Sequence, residues 1–144
     1  MDGAVFSLTL PSELRMLSVA RGFVEAVCDA HHLDRTIAHA LVIVTGEAVT
    51  NIVRHAHRNL ASAQMQMQLQ LHADYVVLTF EDQGEPFDFA SVPELPPGEE
   101  RIGGRGIYLM RTLMDEVRCG PREDQPGNAL RLFKRWPSPV KSVG

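Results

Sequence analysis

The chain has 144 residues, 44% of them hydrophobic and 22% charged, with a net charge of −4, the make-up of a single globular domain with its own core. Acids and bases are mixed, and the absence of a basic block argues against nucleic acid or an anionic membrane as the main partner. Two distant cysteines (Cys28, Cys119), no signal-like N-terminus and no run of ~20 apolar residues read as reduced thiols in a cytoplasmic protein.

In chain order, Ala4 to Leu10 predicts a short strand closed by Pro11. Ser12 is placed to cap a helix reaching about His32, with Leu17, Ala20, Val24 and Val27 as its inner stripe. Arg15, Ser18, Gly22, Glu25 and Asp29 face outward, with Arg21 at the border; solvent exposure explains that face more simply than docking does. His31, His32 and His39 lack Cys, Asp or His neighbours at metal-ligand spacing and read as helix-end histidines.

Asp34 caps a second predicted helix, Ile37 to His57, which runs out around Arg58 to Ala61. Its first half is apolar on nearly every side, as in a helix inside a domain. Its second half places Glu47, Asn51 and His55 at i, i+4 and i+8, in one stripe. Either this is a polar edge where the helix surfaces, or the three groups meet something that satisfies them.

Gln64 to His72 alternates Met65, Met67, Leu69 and Leu71 with four glutamines, a strand with one buried face and one wet face. Ala73-Asp74 turns the chain into a return strand, Tyr75 to Asp82. Parity puts Val76, Leu78, Phe80 and Asp82 on one face, so a carboxylate points toward the core and needs a donor.

Gln83 to Gly104 holds four prolines and four glycines and shows no period, a loop long enough to be functional. It ends in Gly103-Gly104-Arg105-Gly106 and enters a helix whose face is Ile107, Met110 and Met114. Glycines opening a helix N-terminus offer free N–H groups and a favourable dipole to phosphate. Two strands complete the chain, Glu116 to Gly120 and Ala129 to Trp136. Residues 1–137 form one domain and 138–144 a frayed tail.

Strands segregated from helices give an α+β two-layer sandwich, a mixed and mostly antiparallel sheet with helices on one face. The segments Glu47 to His55 (E-A-V-T-N-I-V-R-H), Asp82 to Asp88 (D-Q-G-E-P-F-D) and Gly103 to Ile107 (G-G-R-G-I) occur in order. They resemble the three nucleotide-binding boxes of the GHKL (Bergerat-fold) ATPases. The Asp-x-Gly-x-Pro-Phe-Asp form, the compact length and Leu113 to Val117 are similar to the anti-sigma-factor serine kinases.

That resemblance implies ATP and Mg²⁺ as cofactors, with Asn51 as metal ligand and Glu47 as catalytic base toward a serine hydroxyl. It implies that Asp82 accepts the adenine amine, that Gly84 lets the backbone approach the base, and that Gly104, Gly106 and the helix they open hold phosphate. Arg105, Ile107 and His55 join the nucleotide contacts, and Gln83 to Gly103 becomes a lid. Asn128 stands where the family usually has threonine and retains a hydrogen-bond donor.

The implied partners are a sigma factor and a STAS-type anti-anti-sigma protein, with homodimerisation by family analogy. The alternatives are a switch kinase acting on a STAS scaffold without a sigma factor, and a nucleotide-gated binding module without transfer.

Overall fold

A computed structural model describes residues 3–56, 63–84 and 104–136. In these, a strand β1 (Ala4–Pro11) leads through a single 3₁₀ turn (Leu14–Met16) into helix α1 (Leu17–Ala30). Helix α2 (Arg35–Asn51) follows and passes directly into one π-helical turn (Ile52–Ala56). Then come β2 (Gln64–Leu71), β3 (Tyr75–Asp82), α3 (Gly104–Leu113), β4 (Glu116–Pro121) and β5 (Asn128–Arg135).

The strands form one sheet in the order β1-β2-β3-β5-β4, and every pairing among the described residues is antiparallel. The expected α+β sandwich is therefore present, with antiparallel pairing throughout where a mixed sheet was allowed. Register lines up the apolar positions in rows. Leu8, Met67, Phe80, Leu130 and Cys119 are successive cross-strand neighbours, and so are Phe6, Leu69, Leu78, Leu132 and Val117. Met67, Phe80, Leu69, Leu78 and Leu132 are buried, forming one core with Val24, Leu41, Val44, Val49, Ile107 and Met110 from the three helices. Each such side chain contributes about 1.5–3 kcal/mol on burial, so these rows outweigh any single cap in holding the helix layer.

The glutamines of β2 occupy the opposite face, as the strict alternation requires. A cavity of about 510 Å³ lies on this open face, away from the helices. The β2–β3 turn is closed by the His72 N–H donating to the Tyr75 carbonyl at 2.9 Å. Trp136 Nε1 donates to the Ala73 carbonyl at 2.8 Å, pinning the end of β5 to that hairpin.

Helix α2 is the centre of the helix layer, packed on α1 on one side and α3 on the other. The helical segment Arg35–Arg54 is by length and composition apolar enough to cross a membrane, contrary to the expectation that no segment is. Here it is the core helix, with Leu41, Val44, Ala48 and Val49 wholly buried. Asp34 caps it as expected, accepting from the Thr36 N–H at 3.0 Å, an interaction worth ~0.5–2 kcal/mol.

Three local expectations change. Ser12 does not cap α1: its hydroxyl is buried without a hydrogen-bond partner, and Glu13 and the 3₁₀ turn intervene. Regular α-helix ends at Asn51, and the expected end around Arg58 to Ala61 lies outside the described residues. Helix α3 starts at Gly104, three residues before Ile107, and stops at Leu113.

Candidate functional site

The last turn of α2 holds Glu47 and Asn51 one above the other, and the first turn of α3 crosses beside them. The crossing is close because residue 106 is glycine. A Cβ there would lie 2.8 Å from Glu47 Oε1 and 3.7 Å from Asn51 Nδ2. The opposite flank of α2 is also set by a glycine. The Arg21 guanidinium lies over Gly46, where a Cβ would come within 2.7 Å of Nη2. Glu47 is thus carried on a helix segment clasped from both sides.

Asp82 closes the site at the sheet. It continues the apolar row Leu10–Met65 across the strands and is 4% exposed, so parity did place a carboxylate on the core face. The donors it needs are present. Asp82 Oδ1 accepts from the Gly84 N–H at 2.8 Å and from Asn128 Nδ2 at 2.9 Å. Asn128 is its cross-strand neighbour on β5, so the contact follows from register. Oδ2 receives no hydrogen bond among the described residues and is left to a cavity lined by Ala48, Asn51, Ile52, Phe80 and Leu130.

Asn51 joins the two halves. It touches the α3 crossing beside Glu47 and lines the Asp82 cavity, and its Nδ2 is buried with no hydrogen-bond partner. An unpaired amide in the interior costs ~1–3 kcal/mol, which a protein retains where a ligand completes the bonding. Its neighbours carry no such debt: Thr45 Oγ1 donates to the Leu41 carbonyl at 2.7 Å and Thr50 Oγ1 to the Gly46 carbonyl at 2.8 Å.

The structure therefore brings together Glu47, Asn51, Asp82, Gly84, Gly106 and Asn128. Ile107 is adjacent in sequence, but its side chain is wholly buried in the core, leaving only its backbone to the site. Gly104 opens α3, while the side chain of Arg105 falls outside what the structure describes. His55 stands in the π-turn, where the wider i→i+5 repeat shifts the helical phase, so its spacing from Asn51 no longer implies a shared stripe. The side chain of His55 is likewise outside the described part, as are Gly103 and residues 85–103 of the expected lid.

Gly127 was not singled out by sequence reasoning. Its φ is +132°, and a Cβ there would sit 1.9 Å from the Asp82 carbonyl oxygen. Only glycine lets the β4–β5 turn close against the strand end that carries Asp82. A glycine directly before Asn128 is a weak signal, since turns commonly contain one. Cys119 is a second addition, lining the same cavity from β4.

A small cavity ending in a carboxylate, a buried amide nitrogen without a partner and a glycine-led helix start thus come together on a two-layer α/β sandwich. The chain belongs to the histidine kinase-like ATPase domain family, whose model matches residues 10–134. It is 27% identical over 119 residues to serine-protein kinase RsbW of Oceanobacillus iheyensis, covering 77% of this chain and 75% of that protein. RsbW of Bacillus subtilis is 34% identical over 86 residues, about half of each chain. Among solved structures, the RsbU and RsbW domains of Rv1364c from Mycobacterium tuberculosis superpose with a TM-score of 0.61 at 15% identity. That match covers 92% of this chain and 32% of the mycobacterial one. The histidine kinase domain of the Erythrobacter litoralis blue-light activated kinase gives 0.50, also at 15% identity. The last two likenesses establish the fold.

Proposed function

We propose that the chain is an ATP-dependent protein serine kinase of the anti-sigma type. The observation that carries this reading is Asn51, whose buried Nδ2 has no hydrogen-bond partner among the described residues and stands between Glu47 and the Asp82 cavity. Three further features fit a nucleotide: an acceptor oxygen left over on Asp82, a glycine at the α3 crossing, and α3 N–H groups that begin at Gly104.

Asp82 Oδ2 accepts the exocyclic amine of adenine, while Gly84 and Asn128 hold the carboxylate in place through Oδ1. The N-terminal turn of α3 holds phosphate oxygens with backbone N–H groups and the helix dipole. Asn51 is the residue suited to Mg²⁺, which takes hard oxygen ligands and keeps several waters; the ion supplies neutralisation of phosphate charge. Glu47 accepts the proton of the attacking serine hydroxyl. The serine Oγ–P bond forms as the bond between the γ-phosphorus and the ADP oxygen breaks, and ADP leaves. Phosphoryl transfer demands chiefly this positioning and charge neutralisation.

The serine belongs to a STAS-type anti-anti-sigma protein, and a sigma factor is the alternative partner. The exposed side chains of Arg15, on the 3₁₀ turn, and of Arg21 and Glu25, on α1, are the surface offered to them. The protein works as a cytoplasmic homodimer.

The test is transfer of label from γ-labelled ATP with Mg²⁺ to a STAS partner, repeated with Glu47→Ala. General-base removal costs ~10²–10⁴-fold in rate and leaves nucleotide affinity largely intact. ATP binding without transfer to any partner overturns the kinase reading, and capture of a sigma factor by the ADP- or ATP-loaded protein tests the anti-sigma role.

A further inference from the structure

The sheet face turned away from the helices carries charged chemistry that the nucleotide site does not use. Arg118 on β4 and Arg131 on β5 are direct cross-strand neighbours. Like charges in that relation destabilise a sheet unless a counter-charge lies between them. Arg118 Nε is held by Glu116, while Arg131 is exposed and makes no ion pair among the described residues.

Beside them Arg122, the first residue after β4, folds back beneath the β4–β5 turn. Its side chain is only 7% exposed and its Nε lies 3.4 Å from Glu81 Oε1. Its Nη1 is buried with no hydrogen-bond partner. A guanidinium N–H held out of water without an acceptor is costly, more so than a neutral donor. Beside this side chain the two strands leave open space. Gly120 and Ala129 face each other across the ladder, and a Cβ on Gly120 would meet nothing within 4 Å. These small residues floor a cavity of about 280 Å³ that all three arginines line. Glu81 and Glu116 are each engaged by an arginine. Besides Glu81, the acids that line the cavity are Glu123 and Asp124, on the exposed turn, where solvent and salt screen them.

We propose that this cavity is an oxyanion site: a phosphate or carboxylate group accepts hydrogen bonds from Arg122 Nη1 and the Arg131 guanidinium and relieves the Arg118–Arg131 repulsion. Planar guanidinium forks match either group. The site lies behind the Asp82 cavity, because Glu81 precedes Asp82 and Arg122 packs on Gly127, which abuts the Asp82 carbonyl.

The experiment follows the arginine Nε–Hε resonances of the full chain while inorganic phosphate, or separately acetate, replaces chloride at fixed ionic strength. The Arg122 and Arg131 signals are expected to shift saturably. Arg131→Ser should weaken binding roughly tenfold or more, and Gly120→Val should abolish it by filling the floor with a strand-favouring side chain. Saturation with phosphate alone assigns the site to a phosphate group; saturation with acetate as well assigns it to carboxylates too. No saturable shift with either anion, or a shift unchanged in Gly120→Val, overturns the proposal. No nucleotide enters the measurement, so failure of the kinase reading leaves its outcome untouched.

Discussion

Gly106 of α3 rests on Glu47 of α2 so closely that a Cβ at 106 would stand 2.8 Å from Glu47 Oε1. The atom it would meet is the far end of a flexible side chain, so the clash is resolved by turning the carboxylate aside and not by separating the helices. Gly106→Ala should therefore fold normally, since alanine gains up to ~1 kcal/mol of helix propensity over glycine. Transfer should fall on the order of 10²-fold, the cost of misplacing a catalytic group by about 1 Å. A thermal melt and single-turnover phosphorylation check this; full activity in a folded variant would mean that Glu47 is not the base.

Asn128 grips Asp82 Oδ1 at 2.9 Å from the neighbouring strand. Asn128→Leu removes that donor and should weaken ATP binding by about 1–3 kcal/mol, roughly 5- to 150-fold. Asn128→Thr retains a donor and should lose less. Asn128→Asp sets a second carboxylate against the first and should be the weakest binder of the three. Calorimetric titration with ATP orders the series, and equal affinities across it would remove Asn128 from the site.

Much of this arrangement was legible in the sequence, because strands have a side-chain period of two. The Met/Gln alternation fixed the faces of β2, and parity along β3 alone predicted a buried carboxylate at Asp82. The i, i+4 spacing likewise aligned Glu47 with Asn51. What was not legible arises where backbone geometry departs from its period or depends on distant segments. The π-turn after Asn51 shifts the helical phase, so the i, i+4 spacing of Asn51 and His55 no longer fixes a shared face. Ser12 looks like a cap by residue type, but a 3₁₀ turn separates it from α1. Register between β3 and β5, not local sequence, makes Asn128 the partner of Asp82 and Gly127 the residue against its carbonyl. Nothing near Arg122 in the sequence announces that its side chain is buried.

Gly127 carries a φ of +132° and has no space for a side chain against the Asp82 carbonyl. Gly127→Ala combines backbone strain of ~1–3 kcal/mol with a clash that must push the β4–β5 turn away from β3. The urea midpoint should fall with an unchanged m-value, and ATP affinity should fall with it as Asp82 loses Asn128. An unaltered midpoint would show that the turn can close in another way.

The two thiols should behave oppositely. Cys28 is buried in α1, and burial, with Asp29 and Glu25 adding negative charge nearby, pushes its pKa from 9.0 up to about 11. Cys119 is exposed on β4 at the rim of the Asp82 cavity. Iodoacetamide at pH 8 should label Cys119 alone in the folded protein, with bound ATP slowing the reaction, and both residues once the chain is unfolded. The raised thiol also sets a stability limit. Below pH 9 Cys28 is neutral in both states, so its contribution to folding is constant. Above it the unfolded chain loses a proton that the folded one keeps, and stability declines until the folded thiol also ionises near pH 11. Cys28→Ala should flatten the decline of the urea midpoint between pH 9 and 11 while lowering the midpoint at pH 7 through the small cavity it leaves. An unchanged slope in that variant would show that burial does not hold the Cys28 thiol in its neutral form.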